Sequence, residues 1–289
     1  MAELSLFQKF TLETLVWVDK FCKEHGITYY LIGGTMLGAA RHSGFIPWDD
    51  DVDIAMPRKE YNRFMVLVKD KLPPHKYLQN YSLENYPVHY IKIADDRITI
   101  QTPSLTGTNI TTGAFLDVFP LDGVPSYRWL QWIHYKRIRF YFQFVNARYR
   151  SDKDFRRIRA GDPWLPLKLI LRKIVKALPK GVIDIVHARY DKVLSKYDYD
   201  KCEMVSNLLG IRKMKEIMRR EYFGNGKLVN FEGYQFVGVE RPHEYLSRLY
   251  GDDYMELPPE SQCVSHHNFI IIKMPESESE TLERTGSLG

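Results

Sequence analysis

Asp51 and Asp53 stand one aliphatic residue apart in the run Trp48-Asp49-Asp50-Asp51-Val52-Asp53-Ile54-Ala55. In an extended chain, alternate residues share a face and lie roughly 6–7 Å apart at the backbone, so the two carboxylates point together while Val52 and Ile54 face a core. Carboxylates held that close repel one another unless a cation lies between them, and hard oxygen donors at this spacing suit Mg²⁺ or Mn²⁺. An Asp-x-Asp pair by itself is more often a solvated acidic face or a helix-cap cluster. Gly33-Gly34, one strand earlier, sets this pair apart. Without side chains there, a phosphate can approach the backbone, and the N–H groups opening the next helix favour an anion.

The elements that must carry these residues follow from periodicity. Phe7, Phe10, Leu15, Val18 and Cys22 recur at helical spacing within residues 4–25, and Gly26 sits where a C-cap glycine belongs. Residues 27–32 are β-branched and aromatic and run straight into the glycines, which predicts a strand, a tight turn and a short helix over 35–41. Residues 44–48 read as a loop and 49–55 as a half-buried strand. Residues 90–94 and 114–119 are short strand candidates, 128–178 read as helical, and 191–265 mix helix with short strands. The acidic tail after Met274 reads as unstructured. No internal repeat is present. The order predicts an α/β (α+β) fold with a small mixed sheet.

A composition of 44% hydrophobic and 27% charged residues excludes disorder, collagen-like repeats and coiled coil as descriptions of the whole. Cys22, Cys202 and Cys263 lie far apart and outside any C-x-x-C spacing, which supports neither a disulfide framework nor a zinc knuckle. The first residues lack the basic and apolar regions of a secretory signal, and no run approaches the roughly 18 apolar residues of a spanning helix. A cytoplasmic location is therefore expected. The net charge of +5 conceals a division: residues 128–180 carry fifteen Lys/Arg against three Asp/Glu, leaving the rest of the chain at −7. Such a basic insert suits an anionic surface.

Gly33, Gly34, Asp51 and Asp53 together resemble the signature of the nucleotidyltransferase superfamily typified by DNA polymerase β. That resemblance implies a diphosphate or triphosphate on the glycines, and metal ions held by the acidic pair and a third carboxylate from a later, neighbouring strand. Asp117, in Phe115-Leu116-Asp117-Val118-Phe119-Pro120-Leu121-Asp122-Gly123, is the preferred third member. Asp122 ranks second, because the proline and glycine around it suggest a turn. The likeness extends further. The run from Leu31 to Pro57 with Arg41-His42-Ser43-Gly44-Phe45-Ile46-Pro47-Trp48-Asp49-Asp50-Asp51, the block from Phe115 to Asp122, and Tyr245-Leu246-Ser247-Arg248-Leu249-Tyr250-Gly251-Asp252-Asp253-Tyr254 resemble the LicD family of bacterial phosphocholine transferases. Eukaryotic relatives of the fukutin type share the core motifs, and some of them transfer ribitol phosphate. The chain then divides into a nucleotidyltransferase-like core (1–125), a basic aromatic helical insert (126–190), a C-terminal part completing the same domain (191–273) and a tail (274–289).

The resemblance implies transfer of phosphocholine from CDP-choline to a sugar hydroxyl of a teichoic acid or lipopolysaccharide precursor, with CMP leaving. Asp51, Asp53 and Asp117 would hold Mg²⁺ or Mn²⁺, and Asp117 serves either as ligand or as base toward the acceptor. Transfer of ribitol or glycerol phosphate from a CDP-activated donor, and a non-catalytic nucleotide- or sugar-binding role, are the alternatives. A tRNA nucleotidyltransferase shares the acidic pair but not the pattern from Arg41 to Asp53, so no nucleic-acid partner is expected.

Thr35 joins the glycines as a donor-phosphate candidate. Arg41 suits a phosphate or a neighbouring aspartate equally, and His42 and Asp50 lie beside it. Trp48 could stack on a base or on a quaternary ammonium, although a hydrophobic plug is the commoner use of such a residue. Lys92 is a further phosphate candidate. Ser265-His266-His267-Asn268 also resembles the family, with Cys263 where a basic residue usually stands; adjacent histidines face opposite ways on a strand, so at most one, with His266 the candidate, enters the site. In the insert, Trp129, Trp132 and Phe140 interleave with Lys136, Arg137 and Arg139. Two readings remain for it: a peripheral contact with the anionic inner face of the plasma membrane, where a lipid-linked glycan acceptor would be held, or a helical subdomain with its aromatics packed inward.

Overall fold

The computed structural model describes residues 4–83, 86–106, 108–259, 261, 263 and 269–275. Ser5 caps the first helix, α1 (Leu6–His25), by a reciprocal pair of bonds with Gln8, and Gly26 ends it in left-handed backbone at φ 59°. The strand expected over 27–32 shrinks to β1 (Tyr30–Leu31). Helix α2 (Gly33–His42) starts at the first glycine, so the glycines form its opening turn and not a turn ahead of it. Strand β2 (Val52–Pro57) begins later than expected, because the Asp49 N–H closes a turn onto the Ile46 carbonyl. Asp51 therefore lies just before the strand.

Helix α3 (Arg58–Val68) follows directly, and β3 (Lys76–Gln79), β4 (Ile91–Gln101) and β5 (Thr112–Val124) come next. Strand β4 runs beyond its apolar core because Asp95, buried inside it, is paired with Lys76 and Arg97. Helices α4 (Arg128–Tyr149), α5 (Asp152–Ile158), α6 (Leu165–Ala177) and α7 (Lys180–Leu194) occupy the basic insert, with α7 running past residue 190. Strands β6 (Met204–Ser206), β7 (Met218–Arg219), β8 (Lys227–Phe231) and β9 (Tyr234–Gly238), helix α8 (Pro242–Tyr250) and strand β10 (Ile270–Lys273) close the described chain.

The strands form a mixed sheet in the order β10-β4-β5-β2-β1-β9-β8, with β3 also on β4 and β6 linking β5 to β7. The fold is thus α/β, as the order of elements predicts. Strands β2 and β5 are parallel, and β1 and β4 flank them antiparallel. One face is closed by apolar packing: Leu15 and Val18 of α1, Phe64 of α3, Val52 and Ile54 of β2, and Leu116 and Val118 of β5 belong to one fully buried cluster. Each such side chain contributes about 2 kcal/mol on burial, and together they pin the strand register. A smaller cluster packs Ile138 and Val145 of α4 against Tyr190, Val193 and Leu194 of α7. Tyr141, Phe142 and Tyr149 turn toward it, while Trp129, Trp132 and Phe140 stay exposed. Among the described residues no helix is long and apolar enough to cross a membrane.

Candidate active site

Parallel pairing sets Asp53 of β2 opposite Asp117 of β5, and antiparallel pairing sets Lys92 of β4 opposite the same Asp117. Residues in register share a face, so two carboxylates and an ammonium form a row across three strands, opposite the apolar face. Lys92 Nζ donates to Asp117 Oδ1 at 2.6 Å, both side chains being almost wholly buried. Its ammonium also rests on the Phe115 ring, 3.1 Å from the centroid. A buried ammonium requires a counter-charge, and Asp117 supplies it. Burial holds Lys92 below the ordinary lysine range, against the pull of Asp117, Asp51 and Asp53.

Two backbone bonds fix Asp53. Its N–H donates to Thr35 Oγ1 at 2.8 Å, and its carbonyl accepts the Ile32 N–H at 3.1 Å. Thr35, expected at a phosphate, therefore positions Asp53 from the first turn of α2. The glycines bring that turn close to the acids. Gly33 adopts φ +56°, and a Cβ on it would lie 3.4 Å from Asp53 Oδ2; at Gly34 a Cβ would lie only 2.6 Å from Asp49 Oδ2. The Gly33 N–H is already engaged, donating to Tyr245 Oη at 2.9 Å. Asp49 and Tyr245 are thus site residues that sequence reasoning missed. The acidic triplet made Asp49 visible, but only the fold shows that it reaches α2.

Asp122 leaves the site. It lies five residues beyond Asp117 on one strand, an odd step that turns it to the opposite face. The expected turn is absent because Pro120 and Gly123 both belong to β5, and Asp122 sits fully buried under a bidentate contact from Arg58 at 2.7 and 2.6 Å. Arg41 lies in the last turn of α2. It donates to the carbonyls of Tyr254 and Glu256 at 3.2 and 2.9 Å, tying the end of α2 to the segment after α8. His42, held below the usual imidazole range by burial and by Arg41, stands edge-on to Trp48 with 6.4 Å between ring centroids. Trp48 packs half-buried against the main core, as a plug would. Asp50 and Asp51 are half-buried in the loop before β2. His266 lies outside the described residues, as do residues 276–289 of the tail.

The Asp53 carboxyl is pushed well above the usual carboxylate range, first by burial and then by the charges of Asp51, Asp117 and Asp49, with Lys92 pulling the other way. Four carboxylates against one ammonium leave a surplus of negative charge that a cation would neutralise. Among the described residues no three acidic, histidine or cysteine side chains close into a cage for an ion. An open set of carboxylates fits Mg²⁺ nonetheless, because that ion binds through one or two carboxylates and fills its shell with water and phosphate oxygens. Beside the row lies a cavity of about 240 Å³, walled by Asp51, Lys92, Asp117, Tyr86, Tyr90 and Phe115 on one side and by Asn146, Tyr149 and Arg150 on the other. A larger cavity of about 680 Å³, near Tyr30, Lys59 and Arg220, touches none of these residues.

Known proteins are similar to this chain in sequence. The family described as LicD/FKTN/FKRP, nucleotidyltransferase domain, matches residues 26–151, which carry the glycines, Asp53, Lys92 and Asp117. Over 260 residues, 89% of this chain and 92% of the other, the chain is 31% identical to the lipopolysaccharide cholinephosphotransferase LicD of Haemophilus influenzae. The ribitol 5-phosphate transferases FKRP of Homo sapiens and Mus musculus are 48% identical to it over 44 residues, 15% of this chain and 9% of theirs. Likeness across nearly the whole of two chains, with the family's domain matching residues 26–151, makes this chain a transferase that belongs to the LicD family.

Proposed function

We propose that this transferase moves phosphocholine from CDP-choline to a sugar hydroxyl of a cell-envelope glycan precursor, a teichoic acid or a lipopolysaccharide. The observation that carries the reading is the row Asp53–Asp117–Lys92 facing the glycine-opened end of α2. When bound, Mg²⁺ or Mn²⁺ supplies neutralisation of the diphosphate and of the departing CMP. Asp51 and Asp53 would hold it, with Thr35 and Ile32 keeping Asp53 in position. Gly33 and Gly34 let the positive end of α2 lie against Asp53 and Asp49, where a metal-bound diphosphate would be drawn. Asp117 lines the cavity in which the acceptor is seated. It accepts the proton of the sugar hydroxyl as the new O–P bond forms and the P–O bond to CMP breaks. Lys92 Nζ, donating to Asp117 Oδ1, fixes the orientation of that carboxyl. The α4 residues Asn146 and Tyr149 wall the other side of the cavity.

The stretch shared with the ribitol 5-phosphate transferases favours a second reading, in which the donor is CDP-ribitol or CDP-glycerol. Release of CMP from each donor, with Mg²⁺ and a glycan acceptor, separates the readings. A donor present at 100 times its Kd adds about 2.7 kcal/mol of stability, readable as a thermal shift. Asp53→Asn and Asp117→Asn are each expected to lower kcat by at least about a hundredfold while the protein stays folded. Full turnover in either variant, or stabilisation by ATP with none by any CDP-alcohol, refutes the proposal. Binding of CDP-choline without CMP release would leave only the non-catalytic role.

A further inference from the structure

Helix α6 is turned inside out. Its inner side carries Arg172, 2% exposed, which donates to Asp152 at 2.8 Å, to the Asn146 carbonyl at 3.1 Å and to the Arg150 carbonyl. Its outer side is apolar: Leu167, Ile170, Leu171 and Ile174 are 49–57% exposed, and Trp164, its N-cap residue, is 64% exposed. At 3.6 residues per turn these five side chains fall within an arc of roughly 120°. A helix on the surface of a water-soluble protein places such a stripe against the core. Here a buried arginine occupies the inner position and the stripe faces outward, so the stripe is built for a cover.

Charge selects that cover. The helix lies within residues 128–180, whose excess of Lys/Arg over Asp/Glu is twelve, and Lys173 is exposed on the helix itself. A second copy of this chain would bring like charge against like charge. A layer of anionic lipid headgroups over acyl chains offers both the negative charge and the apolar depth. Exposed Trp129 and Trp132 on the neighbouring α4 have the amphipathic character of side chains at a headgroup boundary.

We propose that α6 lies in the interface of an anionic membrane, with the Leu167–Ile174 stripe entering the acyl boundary and Lys173 among the headgroups. This inference stands apart from the donor and the metal, because its readout is lipid binding and needs no turnover. The full chain is floated with vesicles of phosphatidylcholine alone and of phosphatidylcholine with phosphatidylglycerol. Binding to the anionic vesicles is expected at low salt, weakening as salt rises, with little binding to the neutral ones. The triple variant Leu167→Ser, Ile170→Ser, Ile174→Ser is expected to bind at least about tenfold less, and Lys173→Glu to bind less at low salt only. Because these residues are exposed and outside the site, the variants should keep the parent's melting temperature and its CMP release with a soluble acceptor. Failure of the parent to float, or undiminished binding by the triple variant, overturns the proposal. So does a parent that is dimeric by light scattering, does not float, and becomes monomeric in the triple variant, since a second copy then covers the stripe.

Discussion

Arg58→Met leaves the Asp122 carboxylate inside the sheet without its counter-charge. The Asp122 side chain is 1% exposed and that of Arg58 16%, and two contacts at 2.7 and 2.6 Å join them. Stranding one member of such a pair costs about 3–5 kcal/mol, which in a chain of this length lowers Tm by about 10 °C. Asp122→Leu strands Arg58 instead, at a similar cost. The double variant separates attraction from burial. Burial holds the Asp122 carboxyl above the usual range in spite of Arg58, while Asp122 holds the Arg58 guanidinium above its own usual range in spite of burial, so attraction and lost hydration lie close to balance within the pair. An apolar pair in its place should therefore lie within about 1 kcal/mol of the parent, giving a coupling of several kcal/mol across the cycle. Denaturant unfolding of the four proteins measures this. Turnover of each folded variant, assayed well below its Tm, should stay within about threefold of the parent, because Asp122 faces away from the row. Costs that simply add, or loss of turnover in a folded Asp122→Leu protein, would refute the division between a structural Asp122 and a chemical Asp117.

Two further outcomes follow from the same contacts. Thr35→Val keeps the shape of the side chain but removes the acceptor of the Asp53 N–H. It should cost about 1–3 kcal/mol in unfolding experiments and lower kcat more than it changes KM, since Asp53 loses its support and not its charge. Burial pushes the Glu216 carboxyl up from 4.5 to about 7. Between those values the folded chain keeps a proton that the unfolded chain releases, so the contribution to stability is full below about pH 4.5 and falls by about 3 kcal/mol as the pH rises to about 7. Glu216→Gln should flatten that fall, and denaturation midpoints on either side of the window check it.

What could be read from the sequence is what neighbours along the chain decide. Helix α1 was legible because the apolar spacing and Gly26 are local signals, and the glycine pair and Asp-x-Asp were legible as residue types at short range. The partners of buried polar groups were not. Lys92 pairs with Asp117, 25 positions away; Arg58 finds Asp122, 64 positions away; Arg41 reaches carbonyls more than 200 positions away. The Asp95 that interrupts the apolar pattern of β4 is accommodated by Lys76 from β3 and by Arg97, so a strand expected over 90–94 runs to Gln101. In each case the sequence shows a charged residue and the tertiary register decides where its charge is answered.

The same register explains why the chemistry lies where it does. Ile91 pairs with Val118 and Ile93 with Leu116 across β4 and β5, while Val52 and Ile54 pair with Leu116 and Val118 across β2 and β5. All six side chains are fully buried. Because side chains alternate, those six apolar residues force positions 53, 92 and 117 onto the other face and into one line. A slip of one residue in any of the three strands would drive a carboxylate or an ammonium into the core, an outcome far more costly than a misplaced methyl group. The row is thus held in line by apolar residues outside it. Its own charges work against folding, since burial and three neighbouring aspartates raise the Asp53 carboxyl. The apolar face offsets this repulsion and supplies the stability that the charged face lacks.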